Sequence, residues 1–203
     1  YLEGADAWPD PDLVLRFGAS PTSKVLRKYL ASVDARQVVV DPAGEWREAE
    51  FTATDLVRAD PSRLLGQLAD DVSTCDPSWR EPFVAAEARY WDLVTERLDE
   101  QFQEGAILHD VAATVPDGTT LFVSNSMPVR DLDRFGRPRA AGISVLGNRG
   151  VSGIDGITST ALGAGSATDD HLVSVTGDLA YYHDMNGLLA LQRCGVDATI
   201  VII

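Results

Sequence analysis

Three short stretches of the chain hold the side chains that could do chemistry: Ser124-Asn125-Ser126-Met127-Pro128-Val129-Arg130, the run Gly147-Asn148-Arg149-Gly150-Val151-Ser152-Gly153-Ile154-Asp155-Gly156, and Gly177-Asp178-Leu179. Asp178 is a hard oxygen donor of the kind Mg²⁺ takes, and Gly177 beside it lets backbone approach a bound group. The pair suggests a metal-diphosphate site, although Gly-Asp serves equally as a helix cap after a tight turn. Ser126 and Arg130 offer a hydroxyl and a guanidinium to an anion. They are also consistent with a plain helix start, in which Ser126 caps, Pro128 fills the first turn and Arg130 is solvated. Four glycines within residues 147–156 call for close backbone approach or positive φ, and such a loop could hold phosphate. It is not G-x-G-x-x-G and has no acid placed for a ribose, which argues against a dinucleotide site. Gly163-Ala164-Gly165 reads as a helix C-cap.

The elements around these stretches place them together. Leu172–Thr176 is a buried strand, followed by the Gly177-Asp178 turn, an amphipathic helix from about Ala180 to Arg193, a stop at Gly195 and the apolar strand ATIVII, which makes a βαβ unit. Thr119–Val123 is a strand that delivers Ser126 and Arg130. Ser144–Leu146 is another that delivers the glycine loop, with the small-residue helix ITSTALGAG behind it. All three strand ends converge on the carboxyl edge of one parallel sheet, where open α/β folds bind ligands. An acidic chain with two arginines, Arg130 and Arg149, near a carboxylate at such an edge points to an anionic substrate.

Upstream, Leu13–Phe17, Gln37–Val40 and residues near 55–58 read as strands. Ser23–Ala31, with Val25, Leu26, Tyr29 and Leu30 inward, and Pro61–Val72 read as helices. Residues 1–72 therefore form the tail of a small α/β domain, 73–78 a linker, and 79–203 a second domain opened by helices over Trp79–Phe102 and Glu104–Thr114.

The formal net charge of −14 argues against a nucleic-acid partner. Lys24 and Lys28 are the only lysines, a composition that fits adaptation to high salt or an ordinary acidic cytosolic protein. Cys75 and Cys194 form no C-x-x-C pair, and His109, His171 and His183 do not cluster at metal spacing. No apolar run is long enough to span a membrane and no signal peptide is visible, so a cytoplasmic setting is expected. A start at Tyr1 and an end inside an apolar strand suggest a piece of a longer protein.

Gly177-Asp178 resembles the opening of the diphosphate motif of thiamine-diphosphate enzymes, which runs on for some two dozen residues to an Asn pair. Here the pair would fall after Ile203, and Leu179 stands where a third glycine is usual. More specifically, SNSMPVRDLD (124–133), GNRGVSGIDG (147–156), GDLAYYHDMNGLLAL (177–191) and RFGASPTSKVL (16–26) resemble the 2-succinyl-5-enolpyruvyl-6-hydroxy-3-cyclohexene-1-carboxylate synthase family of menaquinone biosynthesis. The resemblance implies an α/β, parallel-sheet, thiamine-diphosphate-binding fold with part of a Rossmann-like middle domain. It also implies a transferase that decarboxylates 2-oxoglutarate on thiamine diphosphate and adds the succinyl carbanion to isochorismate. Asp178 would bind Mg²⁺ or Mn²⁺, Gly177 and Leu179 would line the diphosphate, and Ile154 would support the bent cofactor. Ser126, Arg130 and Arg149 would hold substrate carboxylates or hydroxyls. Lys24 would reach the same site from the middle domain, unless it is a solvated helix residue. The full protein would be a homodimer or homotetramer. Its activating glutamate would precede Tyr1, so the 203-residue chain alone is expected to be inactive. Another thiamine-diphosphate carboligase, such as an acetolactate-synthase-like enzyme, and a non-catalytic nucleotide-binding module are the competing expectations.

Overall fold

The computed structural model describes residues 8–74 and 76–203; Tyr1 and Cys75 lie outside the described residues. The chain divides into two compact units, Tyr1–Leu93 and Val94–Ile203.

In the first unit β1 (Leu13–Phe17), β2 (Arg36–Val40) and β3 (Asp55–Val57) form a parallel sheet with β2 in the middle. The central strand is the most buried of the three, its last four residues all lying in the interior. One of them is Gln37, whose amide donates to the Leu30 carbonyl at 2.6 Å. Helix α1 (Lys24–Ser32) starts where the Ser23 hydroxyl accepts the Leu26 N–H, and α2 (Pro61–Leu68) starts where Asp60 accepts the Arg63 N–H ahead of a proline. Expected to reach Val72, α2 stops at Leu68 instead. The carboxylates of Asp70 and Asp71 would face the negative end of a longer helix, and the chain turns there, with Asp71 and Val72 both donating to Leu68. Glu48 is buried. Desolvation pushes its carboxyl up, but N–H donors from Glu50, Ala53 and Thr52 and the Arg16 guanidinium outweigh that and hold it below the usual range.

Helix α3 (Pro77–Glu100) begins two residues before the expected start at Trp79, because Pro77 fits a first helical turn and Asp76 accepts the Ser78 N–H. The other elements are α4 (Glu104–Thr114), β4 (Thr119–Val123), α5 (Met127–Phe135), β5 (Ile143–Leu146), α6 (Ile157–Gly165), β6 (Leu172–Thr176), α7 (Asp178–His183), α8 (Leu189–Cys194) and β7 (Ala198–Ile202). Strands β4 to β7 make a parallel sheet in the order β5-β4-β6-β7. Strands β4 and β6 are buried at every residue, so their side chains alternate between two apolar layers. Leu121, Val123, Val173 and Val175 pack with Leu108 on one face, and Phe122 and Leu172 pack with Ile157, Ala161 and Leu162 on the other. Each of these side chains larger than alanine contributes about 1.5–3 kcal/mol by leaving water.

Two expectations need correction. The single helix expected over Ala180–Arg193 is α7, a 3₁₀ turn at Met185–Leu188, and α8. Asp184 leaves helical backbone at φ −128°, and its carboxylate accepts the Ser159 N–H (2.6 Å) and hydroxyl (3.0 Å) at the start of α6. That tertiary contact outweighs local helix continuity. Gly163-Ala164-Gly165 lies inside α6, with Ser166 as a right-handed C-cap. A Cβ on Gly165 would stand 2.8 Å from Val196 Cγ1, so close packing requires the glycine there. Gly195 does end α8 in the left-handed conformation, as expected.

Candidate functional site

The sheet order sets the position of the site. From β4 the chain crosses to β5 on one side, and from β6 it crosses to β7 on the other. The crevice between the carboxyl ends of β4 and β6 is therefore a topological switch point, where open α/β sheets bind ligands. A cleft of about 340 Å³ opens there. Asn125, Ser126, Met127 and Pro128 line it from the end of β4, and Gly177, Asp178, Leu179 and Ala180 from the end of β6; Ile154, Glu104 and Ile203 complete it.

Ser126 occupies the N-cap position of α5 at φ 73° and ψ −125°, and its hydroxyl makes no capping bond. The simple capping role considered from the sequence is thus not what the structure holds. A non-glycine residue in this conformation costs about 1–3 kcal/mol and is typical of sites where geometry matters more than local comfort. Asn125, just before it, is 1 % exposed. Its amide nitrogen donates to the carbonyls of Asn148 and Gly153, both at 2.7 Å, and its oxygen accepts from Arg149 Nη1 at 2.6 Å. One side chain thereby ties the glycine loop to the end of β4 and fixes Arg149. The loop also carries Ile154 into the cleft and to the layer around Phe122 and Ile157.

At the other wall, Gly177 takes the N-cap position of α7 and Asp178 its first turn, so Asp178 is not itself the cap. Asp178 is exposed; one of its oxygens accepts the Leu179 N–H at 2.7 Å. Gly177 has φ −72°, and the nearest atom to a Cβ built on it is the Ile203 carbonyl oxygen at 3.9 Å. Neither backbone conformation nor packing within this chain demands a glycine there, whereas a ligand lying against the backbone would. Among the described residues no three His, Cys, Asp or Glu side chains form a metal-binding group. Asp178 suits Mg²⁺ that arrives with phosphate oxygens, since that ion uses one or two carboxylates and fills its shell from substrate phosphates and water. The donor set therefore fits a metal-bound diphosphate.

The structure brings together Ser126, Ile154, Gly177, Asp178 and Leu179 around one cleft, with Arg149 held through Asn125. Arg130 is exposed on α5 and is not among the cleft-lining residues. Lys24 is the exposed first residue of α1, in the other unit. Sequence reasoning gave no role to Asn125 or Glu104. A polar residue two positions past the end of a strand that closes on Leu-Phe-Val was the available signal for the first; only folding reveals the second.

Residues 6–123 match the family model described as the middle domain of thiamine pyrophosphate. The chain belongs to this thiamine-pyrophosphate middle-domain family. Within the family it is 63% identical over 202 residues to the 2-succinyl-5-enolpyruvyl-6-hydroxy-3-cyclohexene-1-carboxylate synthase of Haloarcula marismortui, covering 99% of this chain and 34% of the relative. The synthase of the same name from Natronomonas pharaonis is 66% identical over 193 residues, covering 95% of this chain and 32% of the relative. That of Roseiflexus castenholzii is 44% identical over 206 residues, covering 100% and 36%. The chain thus spans about a third of the length of the curated relatives it matches.

Proposed function

We propose that this chain supplies the diphosphate- and metal-binding part of a thiamine-diphosphate-dependent 2-succinyl-5-enolpyruvyl-6-hydroxy-3-cyclohexene-1-carboxylate synthase, acting on 2-oxoglutarate and isochorismate as a homodimer or homotetramer in the cytoplasm. The observation that carries this reading is the convergence of the Ser126 turn, Ile154 and the Gly177-Asp178 turn on one cleft at the switch point. The names of relatives at 63% and 66% identity support the choice of reaction. In this reading residues 1–72 are the tail of the middle domain and 79–203 the start of the diphosphate-binding domain.

When bound, thiamine diphosphate would supply the electron sink for decarboxylation and carboligation. The chain's own part is to bind and orient. Asp178 would ligate Mg²⁺ or Mn²⁺, and Gly177 and Leu179 would line the diphosphate. Ile154 would press an apolar side chain against the cofactor and keep water out. Ser126, Arg130 and Arg149 would hold substrate carboxylates and hydroxyls, with Arg149 pre-set by its bond to Asn125. Lys24 would add a cation from the middle domain.

Calorimetric titration of the complete protein with thiamine diphosphate, with and without Mg²⁺, tests this reading beside Asp178→Ala. Binding should require Mg²⁺ and fall at least about tenfold in the variant, the equivalent of 1.4 kcal/mol. Equal binding by variant and wild type would remove the basis of the proposal.

A further inference from the structure

Helix α5 carries Ser126 at its N-cap and Met127 and Pro128 in its first turn, all lining the cleft, and something must seat it. It packs against α4, and the seam between them is unusual at several levels. Gly105 of α4 lies under Phe135 of α5, so closely that a Cβ on it would be 2.3 Å from the ring. His109 of α4 meets the Phe135 carbonyl at 2.9 Å through Nδ1. One turn before Phe135, Asp131 is 3 % exposed, and its Oδ2 is buried with no hydrogen-bond partner. An ionised carboxylate with an oxygen left in that state is costly, and a neutral acid is much less so. The charged side chains around it are Arg130 and Arg134 from its own helix and Glu104 from α4, which also lines the cleft. Desolvation raises the Asp131 carboxyl most; Arg134 opposes, Glu104 reinforces and Arg130 opposes, and the net direction is upward.

We propose that Asp131 is a positioning residue, held as a neutral carboxylic acid in the α4–α5 seam, which seats α5 so that Ser126, at its N-terminus, is presented to the cleft. The part that concerns substrate rests on the proposed function above; the part that concerns the seam does not.

Two measurements on the full-length enzyme separate these parts. The first is thermal stability across pH for wild type, Asp131→Asn, Glu104→Gln and the double variant. A carboxyl raised in the folded state contributes most below its unfolded value and costs stability as pH climbs toward and through the folded one. Asp131→Asn should therefore melt with wild type in acid and progressively above it as pH rises. Glu104→Gln should stabilise the wild-type background only toward alkaline pH, where Asp131 ionises, and have no such effect once Asp131 is Asn. An Asn variant that melts below wild type at neutral pH would mean an ion-paired carboxylate, and a gap that does not change with pH would mean no titration; either overturns the proposal. The second measurement is the pH profile of KM and kcat for the 2-oxo acid. Wild-type KM should rise several-fold toward alkaline pH while the Asn variant stays flat, with kcat tracking between them. If the melting curves behave as stated but the KM profiles run parallel, Asp131 is only a buried acid and the positioning role falls. Cofactor titration would still decide the proposed function on its own.

Discussion

At the scale of single residues, Asn125 joins two walls of the site. Its three polar contacts reach across the chain to positions 148, 149 and 153, all within a loop that has little regular structure of its own. Replacing it with Ala leaves two carbonyls and a guanidinium to find new partners. We expect Asn125→Ala to lose about 1–3 kcal/mol in urea denaturation of the full-length protein, since unsatisfied buried groups cost that much. Asn125→Asp should be no better, because it would aim carboxylate oxygens at two carbonyls. Unchanged midpoints for both would show that the loop is held by something else. Ser126 stands in the opposite situation: its backbone is in a conformation that glycine adopts freely, yet the chain keeps a hydroxyl there.

At the scale of elements, helix contacts turn on which glycines are crowded. Gly66 in α2 has nothing within 4 Å of a built Cβ, whereas Gly105 in α4 would drive one into Phe135 at 2.3 Å. Gly66→Ala should therefore stabilise by about 0.5–1 kcal/mol through helix propensity, and Gly105→Ala should destabilise by about 1–3 kcal/mol through overpacking, both read from chemical denaturation. A stabilised Gly105→Ala would mean that α4 and α5 are less tightly joined than described. Much of this layer was legible beforehand. Strands Leu13–Phe17, Thr119–Val123 and Leu172–Thr176 and helices Glu104–Thr114 and Ile157–Gly165 appear where hydrophobic pattern and cap chemistry put them. The site was legible as three strand ends, because strand-to-loop transitions carry local signals. What was not legible depends on distant partners. The break at Asp184 answers to Ser159, the burial of Asp131 answers to α4, and the roles of Asn125 and Glu104 exist only once β4, β5 and β6 lie side by side. No window along the chain contains those pairs.

At the scale of the whole molecule, a net charge of −14 on 203 residues dominates the surface electrostatics. Mutual repulsion reaches about 10 Å at 0.1 M salt and about 3 Å at 1 M, so added salt should favour the compact state. Thermal melts in rising KCl should shift upward over this range; a flat or falling midpoint would show that the acidic surface exacts no penalty at low ionic strength. The order β5-β4-β6-β7 carries a different consequence, one of timing. Strand β4 finds its first neighbour, β5, soon after it is made, but its other flank waits for β6, about fifty residues further on. At translation rates of about 5–20 residues per second that wait lasts seconds. Throughout it a strand destined for full burial has an unpaired row of backbone groups on one side, the state most prone to annealing with another chain. The crossing that opens a crevice for a ligand in the finished protein thus makes an interval of vulnerability in the nascent one, and it is there that a chaperone would have most to protect.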